Sequence, residues 1–172
     1  SYNSEVIRNR ALQKRLKTLN EYITLFAKDG IISSTIVNNN WTGYYYILPD
    51  LSSFPFIKSI ILENFGEKGI DFNSDISDLK LHDDVNLLDL KITDYSNIRG
   101  EISEKLLLKC KSLQITYASL NSIETTLNSF DNITTLNLSN NNITINVNIL
   151  SKFSNCTHID LSNNNIRGSL PP

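Results

Sequence analysis

The feature that most restricts the fold is a pattern that returns every 23 residues. Residues 133–143 read ITTLNLSNNNI and residues 156–166 read CTHIDLSNNNI. Both fit apolar-x-x-apolar-x-apolar-x-x-Asn-x-apolar. One step back, CKSLQITYASL starts at Cys110 and keeps the apolar offsets through Leu113, Ile115 and Leu120, with Ala118 where the asparagine would stand. A further step lands on Leu87, followed by Leu90 and Ile92. There the match needs one inserted residue before NIRGEI (97–102), which parallels NIRGSL (165–170). An irregular unit is expected over 57–86, with Ile57, Ile60 and Leu62 on the pattern. Repeats of this length predict a solenoid.

The spacing has a physical reading. Positions four and six of each unit lie on one face of a short strand, because strand side chains alternate with period two. The apolar residue at position eleven turns inward again after the bend. One unit cannot bury its face alone, so stacked units share a core. The asparagine at position nine (Asn141 and Asn164) carries a donor and an acceptor. It is expected to satisfy backbone groups that the bend leaves unpaired, in its own coil and in the next one. Its neighbours Asn140 and Asn163 are expected to face outward. Cys110 and Cys156 both occupy position one, which predicts buried small hydrophobes. Two coil steps of about 4.8 Å exceed the roughly 7 Å that a disulfide tolerates, so free thiols are expected.

The pattern resembles leucine-rich repeats. LSNNNIRGSLP (161–171) is similar to the plant-type extracellular subclass, whose units continue as Leu-x-Gly-x-Ile-Pro. Gly168, Leu170 and Pro171 carry this in the last unit, and Gly100 and Ile102 carry part of it earlier; it lapses at 144–148. The resemblance covers 87–172. It implies an α/β solenoid, a right-handed coil with a parallel β-sheet on its concave face and a helical N-terminal cap. The division is then a cap over 1–50 and repeats over 51–172, with units from 57, 87, 110, 133 and 156.

Residues 5–27 have helical spacing, with Ile7, Ala11, Leu12, Leu16, Leu19, Ile23 and Phe26 on one side and five basic residues largely elsewhere. Asp29-Gly30 supplies a stop. This helix reads as a cover for the first repeat's open edge; the rival reading of a basic amphipathic helix is an anionic membrane surface. Trp41-Thr42-Gly43 is similar in layout to the plant-type cap, although the paired cysteines that flank that tryptophan are missing here. Trp41 and Tyr44–Tyr46 read as a capping strand, with an aromatic recognition patch as the alternative.

The chain's net charge of −2 and pI near 5.7 argue against a nucleic-acid partner held by phosphate contacts. Residues 63–104 hold eleven acids and four bases, a solvated acidic face. No apolar run reaches the roughly 18–20 residues of a membrane span, so no direct insertion of this segment is expected. Glycine-rich phosphate loops, GxSxG, HExxH and CxxC are missing, so the reading is not an enzyme, with no cofactor and no metal. His82, Asp83 and Asp84 form a metal-like cluster that reads as a polar connection.

The expected recognition surface is the concave face, at positions three, five, seven and eight: Gln114, Thr116 and Tyr117; Thr135, Asn137, Ser139 and Asn140; His158, Asp160, Ser162 and Asn163. It suits hydrogen bonding to a protein or a glycan. Acceptors for N-glycosylation stand at Asn40, Asn132, Asn137, Asn142 and Asn155. With 23 Asn and 32 Ser or Thr in 172 residues, random placement alone gives about four such sites, so their presence does not argue for secretion. The function expected is a binding module of an extracellular receptor or adhesion ectodomain. A glycosylated filament or surface layer and an intracellular scaffold are the alternatives; unpaired cysteines favour the scaffold. The absence of Met fits an excised or mature segment. GSLPP stops partway through a repeat, so the last coil is expected to be covered by further chain or by another molecule, self-association through that edge included.

Overall fold

The computed structural model describes residues 29–34, 45–64, 66 and 71–169. The expected helix at 5–27, Trp41-Thr42-Gly43, Tyr44, Asn40, Leu170 and Pro171 lie outside the described residues.

Six strands form one parallel sheet in chain order: Ile31–Ser33, Ser59–Glu63, Leu88–Thr93, Cys110–Thr116, Thr135–Asn137 and His158–Asp160. Position four is paired straight across the stack, Ile32 to Ile60 to Leu90 to Leu113 to Leu136 to Ile159. The first of these strands lies within the segment assigned to the cap, so the sheet starts upstream of residue 51. Buried and more exposed residues alternate in Ser59–Glu63 and in Leu88–Thr93, where Leu88, Leu90 and Ile92 are buried, whereas all three residues of His158–Asp160 are exposed.

After each of the main strands from Ser59–Glu63 onward the chain bends and forms a second strand of five residues or fewer. Ser74–Asp75, Ile98–Ile102 and Ser119–Ile123 pair in parallel, as do Thr144–Asn146 and Asn165–Arg167. The core fills the space between the two layers. Positions four, six and eleven supply most of it, including Leu90, Ile92, Leu113, Ile115, Leu120, Leu136, Leu138 and Ile143. A further row was not anticipated. Leu107, Phe130 and Phe153 also stand 23 residues apart and are buried, and the two rings stack at 5.1 Å.

The return segments differ from coil to coil. In the unit from 57, the 3-10 turn Ile76–Asp78 and the strand Lys80–Leu81 take up the extra length. In the unit from 87, the return is an α-helix, Glu104–Lys109. Ser103 caps it by accepting from the Leu106 N–H. Glu104 in the first turn and Lys109 in the last suit the helix dipole, and Leu106 and Leu107 are buried against the core.

Leu87 was expected in the core at position one, but it is 53% exposed with φ of 50°. Leu88 takes the buried place opposite Cys110, because a bulge between Cys110 and Ser112 shifts the register by one. Both NIRG glycines have positive φ, 101° at Gly100 and 92° at Gly168. A Cβ at Gly100 would collide with the Asp75 carboxylate, and one at Gly168 would lie 2.9 Å from the Asn146 amide oxygen. Asp75 and Asn146 are the N-caps of 3-10 turns in neighbouring coils. Glycine at this motif position lets one coil's bend approach another coil's cap.

Candidate interaction surface

The position-nine asparagines tie coils together. The Asn141 side-chain amide donates to the carbonyls of Ile115 (2.8 Å), Leu138 (3.0 Å) and Ser139 (3.3 Å), and its oxygen accepts from the Leu120 N–H (3.1 Å). Asn164 repeats the arrangement one coil on, with the carbonyls of Leu138, Leu161 and Ser162 and the N–H of Ile143. The coil reached is therefore the preceding one, not the next as expected. The next coil is engaged instead by the backbone. The N–H at position eight donates to the position-seven carbonyl of the following strand, from Asn64 to Thr93, Asp94 to Thr116, Tyr117 to Ser139 and Asn140 to Ser162.

Position eight has a backbone requirement that the sequence reading missed. Asp94, Tyr117, Asn140 and Asn163 all have positive φ, between 53° and 68°. Asp and Asn adopt this left-handed bend most readily among residues with a side chain, so Asn140 and Asn163 shape the turn as well as facing outward.

Of the expected surface residues, Gln114, Thr135, Asn137, His158 and Asp160 come together around a cavity of about 490 Å³, also lined by Thr157. Several are held by local bonds. The Asn137 oxygen accepts from the Ser139 N–H at 3.1 Å. Asp160 accepts from the N–H and hydroxyl of Ser162 at 3.0 and 2.6 Å, and the Ser162 hydroxyl is the main cause of the lowered pKa of its carboxyl. His158 Nδ1 lies 2.9 Å from the Thr157 hydroxyl. Side chains fixed in this way lose less entropy when a partner binds.

Thr116 and Ser139 were expected on this surface, yet they are only 8% and 5% exposed. Position seven is the last residue before the bend, and the strands on either side cover it. Ser162, the equivalent residue in the last described coil, is exposed, which fits that cause. Tyr117 is exposed, Asn163 is exposed and Asn140 is half-buried. The same face continues into the two earlier coils through Ser59, Glu63, Asp89, Lys91 and Asp94, and Lys91 pairs with Glu63 at 3.5 Å. The surface is thus mostly uncharged in its later coils, Asp160 apart, and charged in its earlier ones, and only the later part was expected.

Among the glycosylation acceptors, Asn132, Asn142 and Asn155 are exposed and Asn137 is half-buried; Asn155 also donates to the Asp131 carbonyl at 2.9 Å. Cys110 and Cys156 are free thiols. Burial pushes the Cys110 pKa up to about 12, which makes it a poor nucleophile. Cys156, expected to be buried, is half-buried because no described coil follows it, and its thiol donates to the Ile133 carbonyl. The His82–Asp84 loop is engaged by a side-chain cation. The Lys109 ammonium donates to the carbonyls of His82, Asp83 and Val85 at 3.1, 3.1 and 3.2 Å. Among the described residues, no group of three or more His, Cys, Asp or Glu could hold a metal ion, and no helix is long and apolar enough to cross a membrane.

Stacked parallel strands, few helices and in-register side chains define a repeat solenoid. The family model for the Leucine Rich Repeat matches residues 132–156 and 155–172, which supports reading the chain as a leucine-rich repeat protein; such repeats suggest a protein-interaction module and are typically non-catalytic. No curated protein and no solved structure matches the chain.

Proposed function

We propose that this segment is the recognition part of an extracellular leucine-rich repeat receptor or adhesion ectodomain of the plant-type subclass, binding a protein or glycan through the solvent face of its main sheet. The observation that carries the reading is the in-register face itself. Six parallel strands stack in register, the later three presenting mainly polar side chains, and Asn137 and Asp160 are held by the N–H groups two residues on. A right-handed coil and a helical cap over the first strand belong to the same proposal, as does glycan attachment at Asn132, Asn142 or Asn155.

Mass spectrometry of protein from its native source tests it. Glycans are expected on at least one of the three exposed acceptors. The free thiols support a second reading, an intracellular scaffold, since a reducing compartment keeps cysteines unpaired. Unmodified acceptors throughout would favour that reading. A third reading is assembly into a filament; particle length that grows with concentration in light scattering would select it.

A further inference from the structure

Position eight holds an anomaly. Three of its four left-handed residues are Asp or Asn, which tolerate the bend, but the fourth is Tyr117, at φ of 53°. A bulky side chain is strained there. Burial does not compensate, because Tyr117 is 56% exposed and lies outside the core cluster. Residue 117 stands at the rim of the sheet face, its backbone between Asp94 in the preceding coil and Asn140 in the following one, since the Asp94 N–H bonds to the Thr116 carbonyl and the Tyr117 N–H to the Ser139 carbonyl. Among the described residues the Asp94 carboxylate has no hydrogen bond or ion pair. The face as a whole is acidic. Its charged residues are Glu63, Asp89, Asp94 and Asp160 against Lys91, and Lys91 is committed to Glu63.

We propose that Tyr117 and Asp94 form a seat for the guanidinium or ammonium group of a basic segment on a partner protein. The cation would rest over the phenol ring, with the Asp94 carboxylate beside it, and Asp89 and Asp160 would draw the rest of the segment along the same face. A residue chosen for contact rather than for its own coil explains a tyrosine where asparagine fits the backbone better. This proposal rests on the sheet face being the recognition surface.

Calorimetric titration of the full chain with tetra-arginine amide, and with tetra-glutamate as a control, tests it. Tetra-arginine is expected to bind and tetra-glutamate to show no heat. Tyr117→Asn and Asp94→Asn should each weaken binding about threefold or more, while Asp131→Asn, the same charge change away from this face, should leave it unaltered. Tyr117→Asn should also raise the melting temperature, because it relieves the strained bend. Equal losses in Asp94→Asn and Asp131→Asn would reduce the effect to general charge attraction and overturn the seat, as would a lower melting temperature for Tyr117→Asn. A glycan array in which a neutral oligosaccharide binds and is lost with Gln114→Ala, without any tetra-arginine effect, would overturn the basic segment while leaving the face as a recognition surface. Insensitivity of every probe to Tyr117→Asn, Gln114→Ala and His158→Ala would overturn both.

Discussion

The junctions between coils are held in two different ways. Between the units from 87 and 110, the ladder runs from Leu88 to Thr93 and from Cys110 to Thr116, interrupted by the one bulge at Cys110. Position nine there holds Tyr95 and Ala118, neither of which has an amide to offer. Tyr95 is buried edge-on against Phe72 at 5.1 Å. The Ile98 N–H, the group an asparagine would serve, closes locally on the Tyr95 carbonyl at 3.1 Å. The inserted residue noted in the sequence is what makes room for that local turn. Between the units from 110 and 133, the register spans only Ser112–Gln114 and Thr135–Asn137, and Asn141 adds two side-chain hydrogen bonds across the junction, to the Ile115 carbonyl and from the Leu120 N–H. The same step along the stack is therefore closed by backbone in one place and by a side-chain amide in the other. Where the ladder is long the asparagine is dispensable; where it is short the asparagine is required.

Substitutions can break this contrast. The largest effect is expected from Leu138→Asp, which places an unpaired charge in the shared core of the later coils and should cost more than about 4 kcal/mol. Loss of the cooperative thermal transition by circular dichroism would register it, and a retained transition would show the 23-residue register to be misplaced. Asn141→Ala should cost about 2–3 kcal/mol, since it strands the Leu120 N–H and the Ile115 carbonyl. The converse, Ala118→Asn, should change stability by less than about 0.5 kcal/mol, because the preceding coil has already closed its own bonds. Urea denaturation of the two variants compares them directly. Lys109→Met should cost about 1–2 kcal/mol, by the same urea measurement, because it releases the three carbonyls of the 82–85 loop.

The smallest effect concerns acid. Glu104 accepts bonds from the N–H and hydroxyl of Thr126 and from the Leu127 N–H, and the Thr126 hydroxyl is the main cause of holding its pKa below the ordinary 4.5. A carboxyl depressed in the folded state stabilises above its unfolded value and loses that contribution as pH falls through the folded one. The melting-temperature difference between the natural chain and Glu104→Gln should thus be small at neutral pH and shrink to nothing in acid below about pH 4.5. A difference that grew with acid would contradict this.

Much of the stack was legible because its rows are spaced by a fixed number of residues and carry chemically simple side chains. Leu113, Leu136 and Leu138 lie where the spacing puts them, and the row Leu107, Phe130 and Phe153 could have been found by the same count. What escaped detection was set by backbone geometry or by contacts between distant residues. Leu87 looks like a core leucine until the bulge beside Cys110 hands its place to Leu88. Thr116 and Ser139 look exposed until the neighbouring strands cover the end of each coil. The Lys109 ammonium reaches carbonyls more than twenty residues away, and carbonyls leave no mark in a sequence. On the candidate surface, the mostly uncharged later half, Asp160 included, followed from the repeat itself. The charged earlier half was hidden because the irregular unit from 57 obscured its register.

The wiring of the asparagines and of position eight gives each coil a sense. In the later coils the forward side hands a backbone N–H to the next coil and receives that coil's side-chain amide, while the rear side accepts a backbone N–H and sends its own amide back. The two faces of a coil are consequently unlike, as the two ends of a brick with a tongue and a groove are unlike. A copied unit of 23 residues, set in the same direction, would find every partner it needs between its neighbours, whereas a reversed one would meet donor with donor. A contact between molecules that reuses this wiring runs in one direction along the stack and does not close about a twofold axis.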